Sequence, residues 1–391
     1  MIVVAEFYRI KDEHVPINAV MLYMIAMHYG KEKVHFYGEY EHVNAIKKFW
    51  ASNEIEIENI IFHAHNMKSS ESGGIKMVVS RITSELFAVR RMSKILSREK
   101  HVIAFFLSMS AVTSVIQKKF LFKNTSVIIM LHGDVEFIRL SNDFTRNFLG
   151  RCFRKAFSIK SKLCKYLVLD EIIKKNLIKD DFLHQEEIVA IPHPYLYKFS
   201  QNYPGYNAPF KFGHIGVASV EKQTFFLFEL AEKFKEAIIN KQIEFSLIGR
   251  NENIDDKDLN QFVSGAYNKQ LLSRENFESR ISNLHYSIFF YNDKYQLTGS
   301  GAVLDAFNFE KPIIALKSEL FVSIFSRAGN VGFLCNKMCE MEKIISDILS
   351  GKIQETDYLA MQLNMRKFKK DNSLNVISDL LFTQLNNAAI N

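Results

Sequence analysis

Short apolar runs alternate with longer helical stretches through the first half of the chain. The runs are continuously apolar, which is typical of strands buried on both faces of a parallel sheet. They read MIVVAEF, KVHFYG, IENIIFH, HVIAFFLS, SVIIMLHG, YLVLD and EIVAIPH. Between the first two, Ile17 to Tyr29 has its apolar positions at helical spacing. This order predicts a doubly wound α/β domain over residues 1–195.

A second alternating series follows an aromatic and turn-rich segment, which predicts a linker at residues 196–210. The later apolar runs are KFGHIGVAS, EFSLIGR, YSIFFYN, KPIIAL and NVGFLC. They predict a second Rossmann-like domain over residues 211–372, with helices at Gln223–Ile239, Arg274–Leu284 and Ala302–Phe307. Residues 373–391 predict a C-terminal helix that packs back on the first domain. The expected fold class is α/β, with two doubly wound domains facing each other across a cleft and ligands at the strands' carboxyl ends.

Composition narrows the class of protein. A length of 391 residues fits two or three domains, and 48% hydrophobic residues exclude disorder as the main state. The four cysteines are few and irregularly spaced, which indicates a reduced, cytoplasmic setting. The longest uncharged run, Val102 to Gln117, is shorter than the ~20 apolar residues of a membrane span. The start, MIVVAEFYRIKDEH, predicts a core strand rather than a cleavable leader.

The net charge of +7 is concentrated in the first half, and Arg81 to Lys165 alone contains 17 basic and 5 acidic residues. Within it, aromatic residues alternate with the cations Arg146, Arg151, Arg154 and Lys155. This composition suits an anionic membrane surface, where each basic residue contributes about 1 kcal/mol. A solvated helix with one core face is the alternative. Nucleic acid is not expected as a partner, because no binding module accompanies the charge.

The stretch TGSGAVLDAFNFEKPIIA begins at Thr298 and has the composition of an anion-binding turn. The small residues Gly299, Ser300 and Gly301 directly precede a predicted helix, so backbone N–H groups and the helix N-terminus can hold a phosphate. Asp305 lies one turn into that helix, where a carboxylate can accept hydrogen bonds from a ribose diol. The same spacing also fits an ordinary helix start with an acid complementing the helix dipole.

These residues resemble the nucleotide-sugar site of GT-B glycosyltransferases, particularly the family-4-like enzymes that build bacterial surface polysaccharides such as O-antigen, capsule and exopolysaccharide. Three further blocks are similar to that family in the same order: GHIGVASVEKQTFFLFELAEKF, FSLIGR and LLSRENFESRISNLHYSIFFY. The first half is similar more loosely, through HVPINAVMLYMIAMHYGKEKVHFYGEYEHVNAI, SVIIMLHGDVEFI and EEIVAIPHPY. The resemblance implies a GT-B fold and a nucleotide diphosphate sugar as donor.

The resemblance also implies donor contacts by Gly216, Lys222, Arg250, Thr298, Gly299, Ser300, Gly301 and Asp305. Two positions depart from the family pattern. Val217 occupies the place of an arginine in the phosphate loop, and Leu297 occupies the place of the first of two acids. Gln296, Thr298 or backbone groups would have to replace that acid. Retention of the anomeric configuration, which the family implies, depends on this replacement.

His132 is the strongest catalytic candidate of the first half, with Asp134 beside it. It follows the apolar run SVIIML, so it should lie at a strand's carboxyl end, where an imidazole can bind the donor sugar or move the acceptor's proton. A histidine that satisfies loop backbone groups is the alternative. Asp134 and Glu136 are either further bases or solvated loop acids. His193 precedes proline and is expected to shape the domain junction.

Metal ligands and cofactors are not expected. Cys335 and Cys339 have no paired second set, and IDDKD is expected to be a solvated loop. Without metal, Lys222 and the helix N-terminus would offset the charge of the leaving group. The segment SSESGGIK, Ser69 to Lys76, is expected to be a mobile loop.

The leading hypothesis is a peripheral enzyme at the inner face of the cytoplasmic membrane, which moves a sugar from a nucleotide diphosphate sugar to a lipid-linked saccharide acceptor. Two other hypotheses stay open. One is a nucleotide-sugar epimerase of GT-B fold. The other is a degenerate scaffold that binds partners without turnover, which the departures at Val217 and Leu297 suggest.

Overall fold

The computed structural model describes residues 1–67, 74–122, 125–139, 143–199, 204–292 and 296–389. The chain folds into two compact units. The first comprises Met1–Leu196, Leu297–Gly299 and Asn372–Asn391, and the second comprises Tyr197–Gln296 and Ser300–Asp371. Three residues of the predicted phosphate turn region, Leu297–Gly299, thus belong to the first unit.

The described part of the first unit contains a parallel sheet of seven strands: β1 (Ile2–Glu6), β2 (Val34–Glu39), β3 (Ile60–His65), β4 (Ile103–Phe106), β5 (Ser126–Met130), β6 (Cys164–Val168) and β7 (Ile188–Ala190). Its helices are α1 (Val15–Tyr29), α2 (Tyr40–Ser52), α3 (Gly74–Leu96), α4 (Ala111–Phe120), α5 (Phe144–Ser158) and α6 (Glu171–Lys179). A 3₁₀ helix, Gly133–Ile138, follows β5. All seven predicted strands are confirmed.

The strand order in this sheet is β3-β2-β1-β4-β5-β6-β7, and every pair is parallel. Helices α3 to α6 cover one face over a core that includes Val89, Phe106 and Phe157. Helices α1 and α2 cover the other face over a core that includes Ile25 and Phe36. The strands are apolar on both faces because both faces are covered.

The described part of the second unit contains six parallel strands: β8 (Phe210–Ile215), β9 (Ile243–Ile248), β10 (Val263–Ser264), β11 (Tyr286–Phe289), β12 (Ile313–Leu316) and β13 (Gly332–Cys335). Its helices are α7 (Phe225–Lys233), α8 (Lys235–Ile239), α9 (Arg274–Ser282), α10 (Gly301–Asn308), α11 (Glu319–Ala328), α12 (Met338–Leu349) and α13 (Glu355–Asp371). The strand order is β10-β9-β8-β11-β12-β13. In both sheets the strand order therefore reverses beside the first strand, as it does in doubly wound nucleotide-binding folds.

The sequence predictions differ from the structure at several elements. The helix predicted over Gln223–Ile239 is two helices, α7 and α8, which meet at Phe234, whose φ of −102° and ψ of 18° are not helical. The two-residue strand β10 was not predicted, because two residues show no period. Of the loop predicted at Ser69–Lys76, residues 69–73 lie outside the described residues, and the rest begins α3.

Gly150 lies inside α5 and interrupts its sequence pattern for a packing reason. A Cβ placed on Gly150 would lie 1.8 Å from the carbonyl oxygen of Phe137, in the 3₁₀ helix that follows β5. Only glycine allows α5 to approach that backbone so closely. The absence of a side chain at Gly150 thus lets the 3₁₀ helix that follows His132 pack against α5.

The C-terminal segment forms α14 (Leu374–Ala389), which belongs to the first unit. Its Phe382 ring stacks on the ring of His28 with 3.5 Å between centroids, and Ile377 and Leu381 are buried beside α1. Of the predicted tail 373–391, residues 390 and 391 lie outside the described residues.

Among the described residues, the helices are too short or too polar to cross a lipid bilayer.

Candidate active-site residues

The turn after β8 lies at the reversal point of the second sheet, where β8 and β11 are neighbours. Gly216 forms this turn with φ of +97°, and its N–H donates to the carbonyl of Ile248 at 2.8 Å. A Cβ on Gly216 would lie 3.2 Å from the Cβ of Ala302, in the first turn of α10. The turn and the start of α10 are therefore in close contact, at the place where this class of sheet binds ligands.

The start of α10 has the properties of an anion site. The side chain of Ser300 caps the helix by accepting from the N–H of Val303, and its hydroxyl lies 3.1 Å from that of buried Tyr291. A Cβ placed on Gly301 would meet nothing within 4 Å. The start of α10 is therefore uncrowded at Gly301, and a helix N-terminus attracts anions through its first N–H groups.

Lys222 brings a cation to the same place. Its Nζ lies 5.6 Å from the ring centroid of Tyr291, whose hydroxyl contacts Ser300. The N–H of Lys222 donates to Ser219 Oγ at 3.3 Å, which fixes the loop that carries the lysine. The ammonium group therefore lies over the ring whose hydroxyl contacts Ser300, the residue that caps α10.

His214 supports this loop from the core. It is fully buried in β8, its Nδ1–H donates to the carbonyl of Ile288 at 3.1 Å, and the hydroxyl of Thr224 lies 3.4 Å from its Nε2. Burial, followed by the charge of Lys222, lowers the pKa of His214 to about 3. The ring is neutral near neutral pH and leaves the positive charge to Lys222.

The lowered pKa of His214 predicts acid sensitivity. In the unfolded chain His214 has a pKa near 6.5, whereas in the folded chain burial lowers this pKa to about 3. The contribution of His214 to folding stability is therefore complete above about pH 6.5 and falls by about 1.4 kcal/mol per pH unit below it. Urea unfolding between pH 7 and pH 5 measures this slope. It should be shallower in His214→Asn, and equal slopes in the two proteins would contradict the assignment.

Arg250 follows β9 and lies next to the turn after β8, because its carbonyl accepts from the N–H of Ala218 at 2.9 Å. Its Nη2 is 3.6 Å from the carboxylate of Glu252. Its Nε is buried and has no hydrogen-bond partner among the described residues. Arg250 therefore follows the strand next to that turn and has donor capacity left at its Nε.

Asp305 is buried in α10, and its carboxylate lies 3.4 Å from the guanidinium of Arg274. Arg274 also binds Glu278 through its Nε at 2.6 Å. The sequence identified Asp305 but not its arginine partner. The predicted contact of Asp305 with a ribose diol stays a prediction.

The predicted phosphate turn is divided between the units. Thr298 and Gly299 belong to the first unit, whereas Ser300 and Gly301 begin α10 in the second. A Cβ on Gly133 would lie 3.1 Å from Thr298, and a Cβ on Gly299 would lie 3.2 Å from the ring of His193. Thr298 and Gly299 therefore pack against the loops that carry His132 and His193.

Leu297, at the place of the missing acid, is 1% exposed and packs in the core of the first unit. Its backbone N–H donates to the carboxylate of Glu136. The interpretation of Glu136 as a solvated loop acid is therefore wrong, because its carboxylate is partly buried and accepts from a backbone N–H, and its role as a base stays a prediction. An acid at position 297 would place an uncompensated charge in apolar surroundings.

His132 lies directly after β5 and before the 3₁₀ helix, as predicted. Its Nε2–H donates to the carbonyl of Leu107 at 2.5 Å, which leaves Nδ1 as an acceptor. Burial, followed by the charge of Arg9, lowers the pKa of His132 to about 3. The ring is therefore neutral, a hydrogen-bond acceptor and a weak base.

Asp134 forms an ion pair with Arg9, a residue of the loop after β1 that the sequence gave no reason to select. The Arg9 guanidinium is mostly buried, with its side chain 15% exposed. Asp134 is therefore engaged by a fixed cation, and its carboxylate serves to orient Arg9 beside His132. A role for Asp134 as a base stays a prediction.

The four predicted surface cations of α5 are all exposed. Two of them bend back onto the protein: Arg154 donates to the carbonyl of Ile138, and the Arg146 guanidinium lies 5.7 Å from the ring centroid of Phe137. Arg151 and Lys155 are the other two. Arg154 and Arg146 therefore fix α5 to the 3₁₀ helix as well as carrying charge.

His193 lies at the end of the first unit, and its Nδ1–H donates to the carbonyl of Pro194 at 3.0 Å. Burial lowers its pKa. Within the described ranges, no three side chains of His, Cys, Asp or Glu lie close enough to hold a metal ion. That the reaction needs no metal stays a prediction.

Solved structures share this fold over their whole length. TarM aligns with a TM-score of 0.66 at 10% identity, covering 100% of this chain and 99% of that chain. The E. coli trehalose-6-phosphate structure bound with UDP-2-fluoro glucose aligns with a TM-score of 0.62 at 10% identity, covering 98% and 99%. A glycosyltransferase from Rickettsia africae aligns with a TM-score of 0.56 at 12% identity, covering 99% and 97%.

Neither the protein-family models nor the curated proteins gave a match. At identities this low, the structural similarity establishes the fold alone. The two parallel α/β sheets and the alignments together confirm the predicted fold class: the chain has the fold of the GT-B glycosyltransferases.

Proposed function

We propose that this protein is a glycosyltransferase that moves a sugar from a nucleotide diphosphate sugar to a saccharide acceptor. One observation carries the proposal: Lys222 and the N-terminus of α10 meet through Tyr291 and Ser300 beside the turn after β8, at the reversal point of the second sheet, and Arg250 follows the neighbouring strand β9. Two cations and a helix N-terminus are suited to a diphosphate. The E. coli neighbour, which is bound with a UDP sugar, supports this donor class.

In this reaction the bond between the sugar's anomeric carbon and the diphosphate breaks, a bond to an acceptor hydroxyl oxygen forms, and the hydroxyl proton passes to the departing diphosphate or to solvent. Negative charge develops on the departing diphosphate. Lys222 and the N–H groups at the start of α10 would stabilise that charge, and because they are already oriented they do so without reorganisation. In the first unit, His132 Nδ1 would accept a hydrogen bond from the sugar or the acceptor.

We also propose that the acceptor is a lipid-linked saccharide. A surface of the first unit supports this part of the proposal. We call this surface the basic aromatic face: the outward sides of α3, α4 and α5, which lie on one face of the sheet. These three helices contain eleven Lys and Arg residues and one acid, the buried Glu85. Their exposed aromatic residues are Phe87, Phe120, Phe144 and Phe148.

This composition suits an anionic membrane surface. Phe144 is 82% exposed, Phe87 73% and Phe120 68%, although phenylalanine is usually buried. Cations would be attracted to anionic headgroups while the rings enter the boundary of the acyl chains. The sequence located the α5 part of this face and proposed that Val89 to Lys100, which contains the end of α3, adds to it. The sequence resemblance extends the proposal in two ways. The enzyme would lie at the inner face of the cytoplasmic membrane as a peripheral protein, and it would act in the synthesis of bacterial surface polysaccharide.

A degenerate scaffold without turnover is the second candidate. The burial of Leu297 favours it, because the position of one family acid is closed to the ligand. In an active enzyme, retention of configuration would need another group in place of that acid, and Gln296, Thr298 or backbone groups are the candidates. A nucleotide-sugar epimerase would have no use for the basic aromatic face.

A donor screen tests the proposal. The purified chain is incubated with UDP, GDP and dTDP sugars and an octyl glycoside acceptor, and products are read by mass spectrometry. We expect an acceptor that gains the mass of one hexose unit with one of the donors. Epimerised sugar without transfer would support the epimerase, and nucleotide binding without any product would support the scaffold.

A further inference from the structure

Residues 7–14, the loop between β1 and α1, contain two side-chain-bearing residues with left-handed backbone. Lys11 has φ of +54° and His14 has φ of +59°. L-residues other than glycine, asparagine and aspartate rarely adopt this conformation, since Cβ crowds the backbone. It persists only where the surroundings hold it, and such residues concentrate at functional sites.

Hydrogen bonds from three sides hold the first part of this loop. The buried Glu6 carboxylate accepts from the N–H of Arg9 at 2.8 Å. The Glu39 carboxylate accepts from the N–H of Lys11 at 3.1 Å. The Nδ1–H of His42 donates to the Lys11 carbonyl at 2.8 Å. The left-handed backbone at Lys11 is therefore fixed on both sides of the residue.

An ion pair holds the second part. Both guanidinium Nη atoms of Arg81, on α3, bind the carboxylate of Glu13 at 2.9 and 2.8 Å. The Arg81 side chain is 15% exposed. A bidentate pair of this kind fixes orientation as well as distance. Because Glu13 directly precedes His14, the pair determines where the left-handed residue lies.

The position so fixed is next to His132. The rings of His14 and His132 meet edge to face, with 4.7 Å between centroids. Burial, followed by the charges of His132 and Arg9, lowers the pKa of His14 to about 2. Both rings are neutral, and neutral imidazoles can donate to or accept from a hydroxyl group. The pair lies at the carboxyl ends of β1 and β5, where sheets of this kind bind ligands.

We propose that His14 contacts a hydroxyl of the saccharide acceptor, and that Arg81, through its ion pair with Glu13, is the positioning residue that holds His14 there. The inference rests on the proposed function and adds an acceptor-recognition residue to the first unit. It also explains why a strained loop is tied to α3 by a mostly buried ion pair. A loop with only a structural role would not need His14 against His132.

His14→Asn tests the contact, because asparagine tolerates the left-handed backbone and the fold is retained. Initial rates are measured while donor and octyl glycoside acceptor are varied separately. Loss of one hydrogen bond should lower kcat/KM for the acceptor about tenfold. The KM of the donor and the slow release of nucleoside diphosphate without acceptor should not change. An unchanged kcat/KM for the acceptor, or equal losses for donor and acceptor, would overturn the role of His14.

Arg81→Gln should lower kcat/KM for the acceptor in the same selective way. The exchanged pair, Arg81→Glu with Glu13→Arg, should recover most of that loss. Lys160→Gln is the matched control, since it removes a 3.0 Å ion pair with Glu187 in the same unit. An exchanged pair no better than Arg81→Gln would overturn the positioning role. A wild-type chain that transfers no sugar would overturn the proposed function and this inference with it.

Discussion

Replacement of Lys222 by methionine is expected to lower sugar transfer about 100-fold to 1000-fold, because it removes a preorganised charge at the leaving diphosphate. Methionine keeps the length of the side chain and its packing against Tyr291, so the loop should stay in place. The loss should appear in kcat, measured as nucleoside diphosphate released at saturating donor. Lys222→Arg should retain part of the rate, since the charge is kept.

Lys257→Met is the matched control for this experiment. Lys257 is exposed, pairs with Asp255 at 3.4 Å, and lies in the same unit. Its replacement should leave kcat unchanged. A Lys222→Met protein as active as the wild type would remove the lysine from the leaving-group site and leave the start of α10 without its nearest cation.

The second large effect is expected at the basic aromatic face. Replacing Phe87, Phe120 and Phe144 together by serine should lower binding to vesicles of phosphatidylglycerol and phosphatidylcholine by at least about 100-fold, because each exposed ring contributes on the order of 1 kcal/mol on insertion. Cosedimentation with vesicles measures it. Added salt should weaken wild-type binding as well, since the cations act through screened charge.

The control removes exposed apolar residues elsewhere. Val322, Leu359 and Leu363 are exposed on α11 and α13 of the second unit, and their replacement by serine should leave vesicle binding intact. Equal binding of the wild type to neutral and anionic vesicles at low salt would contradict the membrane assignment. Unchanged transfer to a water-soluble saccharide by the triple phenylalanine variant would separate membrane binding from catalysis.

Much of the fold was accessible from the sequence, because parallel strands covered on both faces leave continuous apolar runs such as SVIIML and IIAL. The elements that could not be predicted from the sequence are those whose structure depends on contacts with distant residues. The end of α7 at Phe234 and the two-residue strand β10 leave no local pattern. The glycine inside α5 looked like an interruption, and only the close carbonyl of Phe137 explains it.

The candidate site was accessible where small residues and a helix start are adjacent in sequence, as at Ser300 and Gly301. The ion pairs of the candidate residues could not be predicted, because the two members of each pair lie far apart in the sequence. Arg9 is 125 residues from Asp134, and Arg81 is 68 residues from Glu13. Such pairs appear only once the strands lie side by side. His14 likewise becomes notable through its backbone angle and its contact with His132.

The donor contacts that the sequence resemblance implies at the start of α10 stay a prediction, and Leu297 departs from that resemblance. There the alignment recorded a missing acid, and the structure shows a leucine buried in the first unit with its N–H held by Glu136. In this chain Glu136 thus anchors the backbone of a packed leucine. The sequence alone does not show whether an acid that is missing from a family pattern marks a lost function or a position that has become part of the core.

Calorimetric titration of UDP, GDP and dTDP into the purified chain tests the central claim most directly. We expect that one of these nucleotides binds, that Lys222→Met weakens the binding by about tenfold or more through loss of a charge-assisted contact, and that Lys257→Met does not. Absence of affinity for every nucleoside diphosphate, in a protein shown to be folded, would contradict the donor site at the start of α10.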